Sequence, residues 1–217
     1  PGAIIIAGIL VSASVLYSGA GGTPKLADNK AVIGEDQKVD ITIDKETNFI
    51  GDRSAPVQVI EFGDYQCPFC ERYFSQVQKS VVSEYVGSGK VAFAWRDYAF
   101  LGQESIWSAQ AAHCAGDQNK FWEYHDYLYS HQNGENKGAF TVPNLKKFAV
   151  ALGLNVSKFN SCLDSNKYQS LVSASTEYGS SVGVSGTPAT FINGKLIVGA
   201  VPYADIKAAI EEALSKK

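Results

Sequence analysis

Two cysteines three residues apart at a strand-to-helix junction constrain the fold more than any other feature of this 217-residue chain. Residues 57–62, with the sequence VQVIEF, have the β-branched and aromatic character of a short buried strand. Cys67-Pro68-Phe69-Cys70 comes next and begins a helical pattern of about five turns. Proline suits the first turn of a helix, because its missing N–H has no partner there. Both sulfurs therefore lie within reach of one substrate sulfur, as in a dithiol redox site.

The rest of the sequence predicts an α/β fold. Alternating residues 91–95 predict a second strand, and two further strand runs, 189–192 and 195–198, flank an Asn-Gly dipeptide, a strong hairpin signal. Residues from about 103 to 182 have the hydrophobic period of helices, and a last amphipathic helix follows the hairpin. This order predicts a thioredoxin-like fold with a helical domain inserted between a βαβ half and a ββα half.

The residues before this domain are predicted to lie outside it. Residues 1–18 are apolar and uncharged, and we interpret them as a membrane anchor or the remnant of a signal peptide. Residues 19–47 are interpreted as a tether, in which the alternating run 39–43 forms an added edge strand. The folded domain is predicted over 48–217, beginning with a loop. These two interpretations of the first segment place this domain outside the cytoplasm, where disulfides persist, whereas a third alternative, a buried core helix, does not.

Charge and cysteine spacing argue against two other classes of protein. The net charge is −3 and the sequence has no basic patch, so nucleic acid is not an expected partner. A four-cysteine zinc site needs a second close pair of cysteines, which this sequence lacks, and its three histidines are not at metal-ligand spacing. We therefore expect neither a metal nor a cofactor.

The sequence GDYQCPFC at 63–70, together with GTPATFING at 186–194, resembles the DsbA-like branch of the thioredoxin superfamily. The resemblance covers residues from about 48 to the C-terminus. It implies a thioredoxin fold with a helical insertion and the activity of an extracytoplasmic thiol–disulfide oxidoreductase. Cys67 would attack as a thiolate that is stabilised at the helix N-terminus, and Cys70 would resolve the mixed disulfide.

The resemblance also implies roles for residues that are distant in sequence. It places the acidic residue Glu61 near the buried Cys70, where a carboxyl group of raised pKa would exchange the cysteine proton. The alternative is a carboxylate that points to solvent at the strand end. Pro188 resembles the cis-proline that faces the dithiol, and Thr187 would present its backbone to an extended substrate peptide.

The other two cysteines, Cys114 and Cys162, both fall in the predicted helical insertion. We interpret them as a structural disulfide that joins two helices and stabilises the fold by up to about 4 kcal/mol. Two alternatives are a pair of buried free thiols and a second redox relay.

Several residues near the dithiol affect the expected direction of the reaction. The dipeptide Pro68-Phe69 lacks the histidine found in some strong oxidants of this family, and Phe69 has no conventional hydrogen-bond donor for sulfur. Thr187 also occurs in isomerase-like members. Residues 64–66 are interpreted as shaping the substrate groove.

The leading hypothesis is an oxidase that forms disulfides in exported proteins, with reduced or misoxidised proteins as its substrates. A membrane redox partner, by resemblance a quinone-linked oxidase, would reoxidise the site. The alternatives are an isomerase or reductase of the same fold, a non-catalytic thioredoxin-like chaperone or binding module, and a metal-handling protein such as a copper chaperone.

Overall fold

A computed structural model describes residues 38–44 and 47–216 of the chain. The predicted membrane anchor or signal remnant at 1–18 lies outside these residues, as does most of the predicted tether at 19–47. None of the helices in the described part of the chain is long and apolar enough to cross a membrane.

A mixed five-stranded sheet forms the centre of the described residues. Its strands lie in the order β1-β3-β2-β4-β5, in which β2 and β3 are parallel and the other neighbours are antiparallel. The central strand β2 is buried on both faces along almost its whole length, including Glu61. The bounds are β1 (Asn48–Ile50), β2 (Val57–Gly63), β3 (Val91–Asp97), β4 (Ala189–Ile192) and β5 (Lys195–Val198).

A continuous helical run follows β2 and carries the dithiol at its start. It consists of α1 (Pro68–Tyr73), a π-helical segment Phe74–Gln78, the short helix α2 (Lys79–Val81) and a second π-helical segment Val82–Val86. Its apolar face packs on the sheet beside the C-terminal helix α8 (Tyr203–Ser215), in one hydrophobic cluster with β2. The predicted helix after the dithiol is confirmed.

Five helices form the insertion between β3 and β4. They are α3 (Gln103–Gly116), α4 (Phe121–Ser130), α5 (Val142–Ala151), α6 (Val156–Asp164) and α7 (Gln169–Ser181). A disulfide joins Cys114 of α3 to Cys162 of α6. The core of this insertion is continuous with the apolar surroundings of the dithiol, so the insertion contributes directly to the site. The predicted thioredoxin-like fold with a helical insertion is confirmed.

The N-terminal part of the domain differs from the prediction in two places. Residues 39–43 do not form an edge strand: Ile41 and Ile43 are buried, but the Ile43 N–H donates to the Gln58 side chain (3.0 Å) rather than to a neighbouring strand. Residues 48–50, predicted as a loop, instead form the edge strand β1 against β3. Hydrophobic alternation reports which side chains are buried, and it does not identify the partner of the backbone.

Candidate active site

The dithiol lies where β2 ends and α1 begins. Cys67 is the N-cap of α1, and both Cys67 and Cys70 are free thiols. Cys67 is 5% exposed, whereas Cys70 is fully buried. The peptide bond between Thr187 and Pro188 is cis, and the Thr187 carbonyl oxygen lies 3.4 Å from the Cys67 sulfur. The fold therefore brings together residues that are 120 positions apart in sequence.

The two thiols have opposite electrostatic environments. A hydrogen bond with the Cys70 thiol lowers the pKa of Cys67 to about 6, against the opposing effect of burial, and the backbone N–H groups of Phe69 and Cys70 also favour the thiolate. Burial raises the pKa of Cys70 well above its usual range, and the neighbouring Cys67 sulfur adds to this rise. At neutral pH, Cys67 is therefore mostly a thiolate, whereas Cys70 keeps its proton.

Glu61 lies on β2 within the protein interior. Its side chain is fully buried, and neither carboxylate oxygen has a hydrogen-bond partner among the described residues. Burial raises the pKa of Glu61 well above its usual range, and the negative charge of Cys67 raises it further. A fully buried carboxyl group contradicts the alternative in which Glu61 points to solvent. Its position agrees with the expected one near Cys70, whose pKa it helps to raise.

Two exposed aromatic rings belong to segments around the dithiol, one in α1 and one in a loop. Phe69 is 53% exposed and follows Cys67 by two residues, and Phe100 is 49% exposed in the loop after β3. The Phe100 N–H donates to Asp64, three residues before Cys67 (3.0 Å). Large apolar side chains of this exposure are suited to contact with another protein.

Asp64 anchors the loop that leads to Cys67, a role that the sequence did not reveal. It is buried, and one carboxylate oxygen accepts from the Gln66 N–H (2.8 Å) and the Ser105 hydroxyl (2.7 Å). The other oxygen accepts from the N–H groups of Phe100 (3.0 Å) and Leu101 (3.1 Å). Asp64 therefore joins the dithiol loop to the loop after β3 and to α3.

Two glutamines extend this hydrogen-bond network into the helical insertion. The Gln66 side chain donates to Ser105 (2.7 Å) and accepts from the Asn136 N–H (2.6 Å). Gln132, from the loop after α4, donates to the carbonyl oxygens of Tyr65 (2.7 Å) and Cys67 (3.2 Å). Residues 64–66 are all buried, so their side chains do not line the surface, and their influence on a substrate groove stays a prediction. They support the dithiol from within.

The three histidines take part in packing and hydrogen bonds. The His113 ring lies 2.6 Å from Asp97, the His125 ring is buried among aromatic rings 2.9 Å from Asp126, and His131 stacks on Tyr127. Within residues 38–44 and 47–216, no group of three or more His, Cys, Asp or Glu side chains is arranged to hold a metal ion.

Comparison with known proteins decides the family. A sequence profile described as thioredoxin matches residues 44–212. The chain belongs to the thioredoxin family. The "Disulfide bond formation protein D" of Bacillus subtilis is 28% identical over 173 residues, which cover 77% of this chain and 77% of that protein. The crystal structure of oxidised BdbD from Bacillus subtilis has a TM-score of 0.75 and 26% identity, and the match covers 83% of this chain and 100% of that one.

One relative is much longer than this chain. The Na(+)/H(+) antiporter NhaA 1 of Salinispora arenicola is 29% identical over 178 residues, which are 81% of this chain but only 26% of the antiporter. The chain thus spans about a quarter of that protein. The combined likeness supports a DsbA-like thiol–disulfide oxidoreductase, and the family resemblance predicted from the two motifs is confirmed.

Proposed function

We propose that this oxidoreductase works outside the cytoplasm as an oxidase, exchanging a Cys67–Cys70 disulfide with the thiols of exported proteins. The observation that carries the proposal is the Cys67 thiol, whose pKa is lowered to about 6 beside a fully buried Cys70. A thiolate that is stabilised in the reduced protein makes the corresponding disulfide more oxidising. The same thiolate is also a good leaving group.

The reaction begins with a substrate thiolate that attacks the Cys67 sulfur of the oxidised enzyme. The Cys67–Cys70 bond breaks, Cys70 leaves with the electron pair, and the protonated Glu61 supplies its proton. A second substrate thiolate then attacks the substrate sulfur and displaces the Cys67 thiolate. The substrate loses two electrons and gains a disulfide, while the enzyme becomes the dithiol.

Substrate recognition is proposed to use the backbone next to the cis bond. Thr187 would pair with an extended segment of the substrate, because its carbonyl oxygen lies beside the Cys67 sulfur. The exposed rings of Phe69 and Phe100 would contact apolar side chains that an unfolded protein presents. Such contacts are sequence-tolerant and fit substrates that are recognised before they fold.

The proposed location and partners rest on the second disulfide and on the family. The bonded pair Cys114–Cys162 is separate from the dithiol, and disulfides of this kind persist in oxidising compartments. Reduced or misoxidised exported proteins would be the substrates, and a membrane redox partner would reoxidise Cys67 and Cys70. Membrane anchoring through residues 1–18 is part of the same proposal.

Refolding assays test the proposed direction of the reaction. The oxidised enzyme should restore activity to a fully reduced, disulfide-dependent substrate and should have little effect on a scrambled one. Cys67→Ser should abolish the reaction, whereas a double variant, Cys114→Ser with Cys162→Ser, keeps the dithiol and should retain it. Preferential action on the scrambled substrate would identify an isomerase. Full activity of Cys67→Ser would contradict the mechanism.

A further inference from the structure

Two buried hydroxyl groups near Glu61 have no role in the mechanism described above. Tyr73 and Thr190 are both fully buried. Their hydroxyl oxygens, like both carboxylate oxygens of Glu61, have no hydrogen-bond partner among the described residues. Leaving a buried polar group unpaired costs about 1–3 kcal/mol. Tyr73 belongs to an apolar cluster, so hydrogen bonds formed among these groups would offset part of that cost.

Backbone geometry places the three side chains together. Thr190 on β4 lies directly opposite Glu61 on β2 in an antiparallel pair, so both side chains point to the same face with their Cβ atoms about 5 Å apart. Tyr73 follows Cys70 by three residues, so its side chain lies on the same face of α1 as the buried thiol, one turn along. Hydroxyl groups of both residues rotate freely to donate or accept.

Electrostatic effects on neighbouring groups support this placement. Burial raises the pKa of Tyr73, the negative charge of Glu61 adds to the rise, and the Thr190 hydroxyl opposes it. The titratable groups that face Glu61 come from three elements and are all neutral or acidic. They are Cys67, Cys70 and Tyr73 at the start of α1, Tyr65 in the preceding loop and Tyr129 on α4.

We propose that Tyr73 and Thr190 are positioning residues for Glu61, and that their hydroxyls donate hydrogen bonds to its carboxylate when it accepts the Cys70 proton. This inference rests on the proposed role of Glu61. Hydrogen bonds donated to a carboxylate favour its charged form and so offset part of the burial effect. Without them, the pKa of Glu61 would lie further above its usual range, so the carboxyl group would act as a base only at higher pH.

The relevant step can be isolated with oxidised glutathione. Reduced Cys67 attacks the glutathione disulfide, which forms a mixed disulfide and releases one glutathione. Cys70 then transfers its proton to Glu61 while its sulfur bonds to Cys67 and displaces the second glutathione as a thiolate. The dithiol loses two electrons and glutathione disulfide gains them. Acid quenching followed by mass measurement counts the mixed disulfide, so each step has its own rate.

The test compares three variants that each remove one hydroxyl group. Tyr73→Phe and Thr190→Val should each move the pH midpoint of the resolution step upward by about one unit, which slows it up to about tenfold below that midpoint. The rate of attack by Cys67 should not change. Tyr124→Phe is the control, because its buried hydroxyl donates to the Leu145 carbonyl (2.8 Å) within the helical insertion. Its pH profile should match that of the wild type.

The Glu61→Gln background separates a positioning role from a structural one. There, Tyr73→Phe should cause no further change in the pH profile, because its effect passes through the carboxyl group. The inference would be overturned if both hydroxyl variants kept the wild-type pH profile. It would also be overturned if Tyr73→Phe shifted the profile in the Glu61→Gln background as much as it does in the wild type. If Tyr73→Phe does not fold, Thr190→Val is used in both comparisons.

The outcomes also distinguish this inference from the proposed function. A wild-type protein that does not react with oxidised glutathione would contradict the oxidoreductase function itself. A reactive wild type whose resolution step is unaffected by Glu61→Gln would remove the proton role of Glu61, and this inference with it. A changed profile in Glu61→Gln but not in the two hydroxyl variants would overturn only the inference.

Discussion

The individual residues of the site differ mainly in how far they are removed from water. Cys67 and Cys70 have the same side chain, yet the partly accessible one has a pKa lowered to about 6 and the fully buried one has a raised pKa. Glu61 is buried beneath them without a counter-charge that lowers its pKa. Burial of this carboxyl group opposes stability, as the proton role proposed for Glu61 would require.

The cost of burying Glu61 should appear in the pH dependence of stability. A carboxyl group whose pKa is higher in the folded than in the unfolded protein reduces stability as pH rises above its unfolded pKa. Glu61→Gln should therefore unfold at a similar urea concentration to the wild type in acid. At alkaline pH we expect it to be the more stable by about 1–3 kcal/mol, the range for an unpaired buried polar group.

Urea titrations of the reduced proteins at several pH values measure this difference. An exposed carboxyl group provides the control: Asp52→Asn, in a surface turn, should track the wild type at every pH above the titration range of carboxyl groups. Parallel stability curves for Glu61→Gln and the wild type would show that the carboxyl group is not perturbed.

At the scale of elements, the loop that leads to Cys67 is held by contacts with β3 and with the helical insertion. Gly63, the last residue of β2, is packed against Trp95 of β3, where a Cβ atom would clash with the indole ring. Between Gly63 and the start of α1, Asp64 and Gln66 hold the loop by hydrogen bonds. Gln132 adds a hydrogen bond to the Cys67 carbonyl oxygen. The position of Cys67 is therefore set by contacts with the insertion as well as by its helix.

Removing the charge of Asp64 should loosen this loop. Asp64→Asn replaces one acceptor oxygen by an amide group, which faces either the Ser105 and Gln66 donors or the N–H groups of Phe100 and Leu101. We expect a loss of about 2–4 kcal/mol in the free energy of unfolding, because hydrogen bonds to a buried charge are lost. Asp52→Asn removes a charge from an exposed turn and should change the free energy of unfolding far less.

Chemical denaturation of both asparagine variants gives the two free energies. The rate at which an alkylating reagent modifies Cys67 is measured alongside. In Asp64→Asn this rate should vary more from molecule to molecule, because the loop has lost its anchor. Equal stabilities of the two variants would mean that Asp64 does not hold the loop.

Local sequence signals predicted the elements better than their connections. The dithiol, its helix and the hairpin each depend on neighbouring residues, and the structure contains all three. The partners of Asp64 and Gln132, in contrast, come from distant loops whose meeting depends on the tertiary fold. The pairing of Glu61 with Thr190 depends on strand register, which no local pattern specifies. Glu61, Thr187 and Pro188 were identified only through the family resemblance.

At the scale of the whole molecule, the insertion and Trp95 of β3 share one apolar core around the dithiol. The disulfide between Cys114 and Cys162 closes a segment of 48 residues within the insertion. It lies between α3 and α6, and the loops that contact the dithiol belong to the same insertion. The disulfide is therefore expected to stabilise the fold without entering the redox reaction.

Replacing both Cys114 and Cys162 by serine should lower the free energy of unfolding by about 4 kcal/mol, the entropy of closing a loop of this length. The reduction potential of Cys67 and Cys70 should remain that of the wild type. Urea unfolding and glutathione equilibration of the same variant measure the two quantities. If the reduction potential, converted to free energy, shifted by as much as the free energy of unfolding, the second disulfide would be coupled to the dithiol.

The most direct test of the account is the reduction potential of the Cys67–Cys70 pair in a glutathione buffer. Oxidised and reduced fractions are counted by mass after the free thiols are blocked, and Cys67→Ser serves as the control that forms no Cys67–Cys70 disulfide. The stabilised Cys67 thiolate predicts a pair that is more oxidising than a reductase, with a potential above about −270 mV. A potential of about −270 mV or lower would identify a reductase and contradict the proposed oxidase function.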